Sequence, residues 1–577
     1  MVRRLICTAA MLSIAGCAPG AVSAPANAGA APSAPTSQSA ELVLHGGTVF
    51  LADEGDTRVT GLAIRDGRIV AAGTDAEVRA LAGPSTQVID LQGRLVTPGF
   101  NDAHIHFAPG GAALLAVDLL GTTSLAEIEQ RVATAAAAAA PGEWILGRGW
   151  DHTRLPEQEL GPGGWPTRSV LDRAAPENPV VLTRVDGHVS WANTPALQIA
   201  GVTRTTPTPA GGEIVRDPAT REATGIFTES AMSLVGRHVP DPTPAQVRRG
   251  VHAALEMAAR TGVTSVQTSA SALDVRTYRE LHDADSLTVR VYAWHPLEMA
   301  HIAAFRRLGV TAGHGDEWLR VGMLKGYSDG TLGSRTAYML QPFADDASTR
   351  GLPQYPVAQL DSLVQAADAA GLQVILHAIG DAANRQVLDA FERAARQNGA
   401  RARRHRIEHA QILDPADIPR FASLGVIASM QPNHATSDMR WVETRIGHER
   451  AVQGAYAWRS LLDAGATVIF GTDFPVEPMP PVEGIYSAVT RQSREEPGTP
   501  VGGWLPEQRL TREEAIRLYT AAPAYGEWEE ERKGTLQPGM LADLVVWSAD
   551  LLSVPEQQIL DAEPVLTVVG GRIVYRR

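Results

Sequence analysis

His104 and His106 stand two residues apart at the end of an apolar run that begins near Leu95. On a β-strand, side chains i and i+2 share a face, so this spacing lets both imidazoles converge on one cation. Such a pair is common without a metal, and its weight here comes from its company. Further short β-branched runs end in Lys325, His377, His409 and Asp473, which completes a set of nitrogen and oxygen donors suited to a divalent ion. Asp473 lies in Phe470-Gly471-Thr472-Asp473-Phe474-Pro475, where an apolar run gives way to a loop. A carboxylate there can touch an ion and accept the proton of a water that the ion has acidified, so Asp473 is expected to be the general base. The competing role is a helix N-cap. Lys325 stands out because the chain carries 51 basic residues and only Lys325 and Lys533 are lysines. Unlike arginine, a shielded lysine can lose its proton and add CO2 to form a carbamate, a carboxylate-like group able to bridge two cations. Its other reading is an ammonium paired with a carboxylate such as Asp329.

These residues need a scaffold that brings strand ends together. Eight strand candidates follow in order at 95–106, 263–268, 289–294, 319–325, 372–377, 405–409, 426–431 and 468–472. Alanine-rich helical stretches at 245–261, 357–370 and 385–398 alternate with them, as expected of βα units. Eight such units predict a (β/α)8 barrel, whose active site lies at the carboxyl ends of the strands. The stretch of about 119–238 reads as an insertion after the first strand, expected to cap the barrel mouth. At the two ends, 41–96 and 526–577 show short alternating runs joined by Asp-Gly and Gly-Gly turns. They are predicted to form one small β-sandwich outside a barrel of 97–525.

Composition narrows the function further. Hydrophobic residues at 44% and charged residues at 20% are ordinary for a globular chain. The formal charge of −13 becomes −15 once a leader containing Arg3 and Arg4 is removed, which argues against nucleic acid or an anionic membrane surface as partner. A small-molecule substrate is expected, and homo-oligomers are left open. Cys7 and Cys17 are the only cysteines, so no thiolate from the body can hold a metal. Residues 1–16 have the basic and apolar regions of an export signal, and Ile14-Ala15-Gly16-Cys17 is similar to a bacterial lipobox. Cys17 is therefore the expected lipidation site, followed by an Ala/Pro/Ser-rich tether to residue 40 that would hang the enzyme from a membrane outside the cytoplasm.

Pro98-Gly99-Phe100-Asn101-Asp102-Ala103-His104-Ile105-His106, the isolated His377 and His409, and Gly471-Thr472-Asp473 resemble the amidohydrolase superfamily. The segments starting at Lys325-Gly326-Tyr327-Ser328-Asp329-Gly330, His377-Ala378-Ile379-Gly380-Asp381, Arg406-Ile407-Glu408-His409-Ala410-Gln411 and Ala542-Asp543-Leu544-Val545 are similar to its family 3 branch, which includes N-substituted formamide deformylases. The likeness runs from about residue 41 to the end. It implies one or two divalent ions, zinc foremost, held by His104, His106, a carbamylated Lys325, His377, His409 and Asp473. Substrate contacts are expected from Arg184, Asp186 and His188 in the insertion, from Asp329 and Arg335 after the fourth strand, and from Asp381; Asn193 and His434 are further polar positions. At each of them a solvated-loop or salt-bridge role competes. The expected reaction is hydrolysis of a non-peptide C–N bond by metal-activated water, with deamination or cyclic-amide opening on a heterocycle as the alternative and a non-catalytic, surface-anchored binding protein behind it.

Overall fold

Apolar runs too short for helices and rich in Val, Ile and Leu, such as Val374-Ile375-Leu376 and Val468-Ile469-Phe470, become strands covered on both faces. The computed structural model describes residues 39–185, 187, 189–209 and 212–577. The expected leader, Cys17, nearly all of the tether, Asp186 and His188 lie outside the described residues. Eight parallel strands line up in chain order as β1 (Phe100–Ile105), β2 (Val263–Ser269), β3 (Arg290–Pro296), β4 (Leu319–Tyr327), β5 (Gln373–Ala378), β6 (Arg406–His409), β7 (Ile427–Met430) and β8 (Val468–Phe470). Every neighbouring pair from β1 to β8 is in parallel register. The seam between β8 and β1 is bridged just past the strand end, where Asp473 N donates to His104 O at 2.7 Å and His106 N to Phe474 O at 2.8 Å. The result is a nearly closed eight-stranded parallel barrel wrapped by helices.

The helices follow the same local logic. The stretch α2 (Pro244–Thr261) starts at a Thr243/Gln246 capping box with proline in its first turn, stops at Gly262 with φ +82°, and buries Gly250, Val251, Ala254, Leu255, Ala258 and Ala259 as one stripe. It crosses α1 (Phe107–Leu114), the helix that leaves β1, so closely that a Cβ on Gly111 would lie 2.0 Å from the Gly250 carbonyl oxygen. Only glycine permits that approach, which fixes α1 over the end of β1.

The apolar run 95–106 is not one strand. Leu95–Pro98 pairs with Thr48–Phe50 and Leu544–Trp547 in a six-stranded sheet built from both chain ends, and Gly99 hands the chain over to β1. A second, four-stranded sheet contains Ala40–His45, Gly61–Arg65, Arg68–Gly73 and Ala82–Asp90. The two sheets share a core that includes Leu44, Val49, Leu62, Val96, Leu544 and Val568. The insertion after α1 holds its own six-stranded sheet, Val117–Asp118, Ile145–Trp150, Val180–Arg184, Val189–Ala192, Ala223–Glu229 and Gly212–Arg216, with Trp150 and Trp191 in its core.

Candidate active site

Each of the six expected donors stands at the carboxyl end of a barrel strand. His104 belongs to β1 and His106 follows it, Lys325 lies in β4, His377 in β5 and His409 at the end of β6, and Asp473 follows β8 by three residues. The structure brings all six together. Asp473 Oδ1 lies 3.1 Å from His106 Nε2 and 3.5 Å from His104 Nε2. Lys325 Nζ is 3.3 Å from His104 Nε2. Ring centroids are 5.0 Å apart for His104 and His409 and 4.6 Å for His377 and His409. Donor atoms of His104, His409 and Asp473 all fall within 4.8 Å of one another, so these three could hold a divalent ion.

The far side of each ring is spoken for. His104 Nδ1–H donates to Glu408 Oε2, His409 Nδ1–H to Gln431 Oε1 at 2.8 Å and His377 Nε2–H to Gly330 O at 3.0 Å, while His106 Nδ1 meets Ser269 Oγ at 3.2 Å. Outer partners of this kind fix the tautomer, so the lone pair of each inner nitrogen is directed into the cluster. Asp473 Oδ1 is itself buried with no hydrogen-bond partner among the described residues. Buried acceptor atoms left facing one another are costly unless a cation joins them, so this donor set fits a divalent ion. Backbone strain gathers at the same place: His409, Ala410 and Asp473 have φ of +73°, +44° and +60°, a region that non-glycine residues enter only where the surroundings hold them.

Electrostatics agree with the geometry. Burial, and then the charge of Lys325, brings His104 and His377 down to about 4, and burial followed by the neighbouring His377 holds His409 well below the usual histidine range. Burial lowers Lys325 to about 8 even though Glu408 and Asp473 oppose it. Burial pushes the Asp473 carboxyl up, but the proximity of His106, then the charges of His104 and His409, more than reverse this and keep it well below the usual carboxylate range. Asp473 is therefore ionised and able to receive a proton.

Arg406 and Glu408 had no assigned role in the sequence, although two opposite charges two residues apart on one strand face were a signal. Both are fully buried inside the barrel. Arg406 Nε donates to Glu408 Oε1 at 2.8 Å, and its other nitrogens bond Gln267, the Ala103 carbonyl and Ser429 Oγ. Arg406 thus fixes Glu408, which fixes His104. Trp294 on β3 packs on His104 with centroids 5.0 Å apart and was also missed.

The expected substrate residues fare differently. Asp329 is buried and accepts the backbone N–H groups of Tyr338, Ile379 and Gly380 at 2.8, 3.0 and 2.9 Å, with His377 Nε2 at 3.5 Å. It organises the loop around His377 rather than facing outward. Asp381 accepts from Leu340 N and Ala382 N, both at 2.8–2.9 Å, and Arg335 pairs with Asp345 at the surface, so both hold the same long loop. Arg184 donates to Asp151 at 2.6 Å and to His152 at 3.2 Å within the insertion. Asn193 caps the helix Thr194–Ala200. His434, in contrast, faces the cluster: its Nε2 is 3.7 Å from Asp473 Oδ2, buried, and has no hydrogen-bond partner among the described residues.

The model of the Amidohydrolase family matches residues 87–575. The Protein LONG AFTER FAR-RED 3 of Arabidopsis thaliana is 34% identical over 93% of this chain and 92% of its own length. The N-substituted formamide deformylase of Arthrobacter pascens is 28% identical over 94% of this chain and 99% of its own. Among solved structures, an uncharacterized metal-dependent hydrolase from Pyrococcus furiosus superposes with a TM-score of 0.73 at 29% identity, covering 89% of this chain and 100% of that one.

Proposed function

The chain belongs to the amidohydrolase family, and from that premise we propose that it hydrolyses a non-peptide carbon–nitrogen bond of the amide or formamide type with the help of a divalent ion. The observation that carries the reading is the convergence of His104, His409 and Asp473 donor atoms within 4.8 Å, with the outer ring nitrogens already committed. His104, His106, His377, His409 and Asp473 would hold the metal, with zinc foremost among the divalent ions that such nitrogen and oxygen donors accept. When bound, such an ion supplies polarisation of a carbonyl oxygen and acidification of a water. Lys325, brought down to about 8 by burial, reaches the neutral amine form whose nitrogen adds to the carbon of CO2 with loss of one proton, giving a carbamate that joins the ligand set. N-substituted formamide hydrolysis in the Arthrobacter relative supports the choice of bond.

In this reading Asp473 takes the proton from the attacking water and passes it to the departing nitrogen. Its place beside His106, His104 and His409 keeps it ionised at the start. His434 Nε2, unpartnered and aimed at the same space, is placed to hydrogen-bond the substrate. His188 is kept as a further substrate contact. Trp294 shields the floor of the site from water.

The test joins metal analysis of the purified protein to a screen of N-formyl, N-acyl and cyclic amides. Asp473→Asn, checked for folding by circular dichroism, should lower turnover by about 10²–10⁴-fold, the range expected for loss of a general base. Undiminished hydrolysis by that variant would remove Asp473 from the mechanism.

A further inference from the structure

Arg148 forms no ion pair with a described residue. It sits on Ile145–Trp150 of the insertion, a strand flanked by Val180–Arg184 and by Val117–Asp118. Its guanidinium reaches the barrel rim, where one N–H donates to the carbonyl oxygen of Pro475, two residues past Asp473. No other hydrogen bond and no ion pair joins it to the described residues. Asp118, directly beside it in register, turns its carboxylate to Leu120 N at 2.9 Å. Yet Arg148 is half-buried and near enough to feel the charges of Asp118 and Asp473.

Arg168 of the same insertion likewise bonds only a backbone carbonyl, Ala223 O, among the described residues, but Arg148 stands at the barrel rim. Arg184 on the adjacent strand is bonded to Asp151, and Arg290, Arg406 and Arg494 are each matched by a carboxylate. A guanidinium has five N–H donors, and a half-buried one using a single donor leaves a planar fork to be filled. The candidate ligands stand at the same end of the barrel. Bonded two residues past Asp473 and near enough to feel its charge, the guanidinium stands beside the candidate ligands.

We propose that Arg148 recognises an anionic group of the substrate, so that the amide cleaved at this site carries a carboxylate. The proposal rests on the hydrolase reading above and names its substrate class. A carboxylate matches the fork in two parallel hydrogen bonds, and its single charge suits a position close to Asp473 better than a phosphate would. A role as mere latch between insertion and barrel needs only the bond to Pro475 O, which a neutral amide can also make.

Calorimetric titration of the purified full chain with N-tosylglycine and with its uncharged counterpart N-tosylglycinamide separates the two roles, since neither sulfonamide requires turnover. The expected result is a preference of about 10- to 100-fold for N-tosylglycine, as a charge-assisted pair provides, which disappears in Arg148→Gln. Arg148→Gln retains a donor for Pro475 O, so a latch would be spared. Equal affinity for the two compounds in the parent, no binding of N-tosylglycine, or a preference that survives in Arg148→Gln would each overturn the proposal. A chain that shows the preference but cleaves no amide would instead count against the proposed function alone.

Discussion

Glu408 fixes a property that His104 has no means of setting for itself. With one oxygen on His104 Nδ1 and the other on Arg406, it holds the proton on the outer nitrogen and frees the inner one. A buried ion pair contributes little net stability for the desolvation it requires, which points to a positioning role. Glu408→Gln should therefore lower metal affinity by about 10- to 100-fold, measured by chelator competition, with the far-ultraviolet circular dichroism unchanged. Unchanged affinity would contradict the role. The same imidazoles set a pH dependence. In the metal-free protein His104 and His377 titrate at about 4 instead of 6.5, so below pH 6.5 the unfolded chain binds protons that the folded chain refuses. Stability is whole above that value and should fall as pH drops from 6.5 to 4, readable as a declining urea midpoint. The convergence of the six candidate donors was legible because strand-end position and residue type coincide. Glu408 was not, since its partner His104 lies 304 residues away and only the barrel closes that distance. The roles of Asp329 and Asp381 were not legible, because a carboxylate in a loop near a histidine looks the same whether it binds a substrate or backbone N–H groups.

At the scale of elements, the site depends on how β8 meets β1. Gly471 leaves β8 with no room for a side chain: a Cβ there would lie 2.4 Å from His104 N and 2.8 Å from Asp102 Oδ1. Asp102 clasps this seam, accepting from Thr472 N at 3.0 Å and His104 N at 3.2 Å, and burial raises its carboxyl to about 7. Gly471→Ala must part the two strands, so a loss of about 1–3 kcal/mol in unfolding free energy, seen by denaturant titration, should accompany loss of metal. A variant as stable and as well loaded as the parent would show that the seam yields freely. All eight barrel strands were readable in order, although β2 (Val263–Ser269) and β6 (Arg406–His409) are themselves largely polar. The first was drawn too long, because hydrophobic continuity across Pro98 and Gly99 hides a change of sheet. The insertion's sheet was not read from the sequence, since strands as short as Val117–Asp118 leave no periodic trace.

Across the whole molecule, Ala40–Arg577 form one compact unit, and buried charges join its parts. Arg290 at the start of β3 makes two bonds to Asp543 of the terminal segment, at 2.7 and 3.0 Å. The second lysine, Lys533, bonds Ser265 and Glu527 beneath the barrel, both at 2.9 Å. Asp543→Ala strands a buried guanidinium and should cost about 3–5 kcal/mol, measured by urea unfolding; a cost near zero would mean that the termini and barrel are energetically independent. The family motif around Asp543 was visible in the sequence, but its structural purpose needed the fold. Above the barrel the insertion delivers Arg148 to the rim, which no local pattern foretold. What unites these parts is the claim that they exist to hold a metal against an amide. Stripping the purified chain of metal by chelation, then assaying an N-formyl or N-acyl amide before and after adding zinc, tests that claim most directly. The account predicts activity abolished by stripping and restored by zinc, and full activity in verified metal-free protein would contradict it.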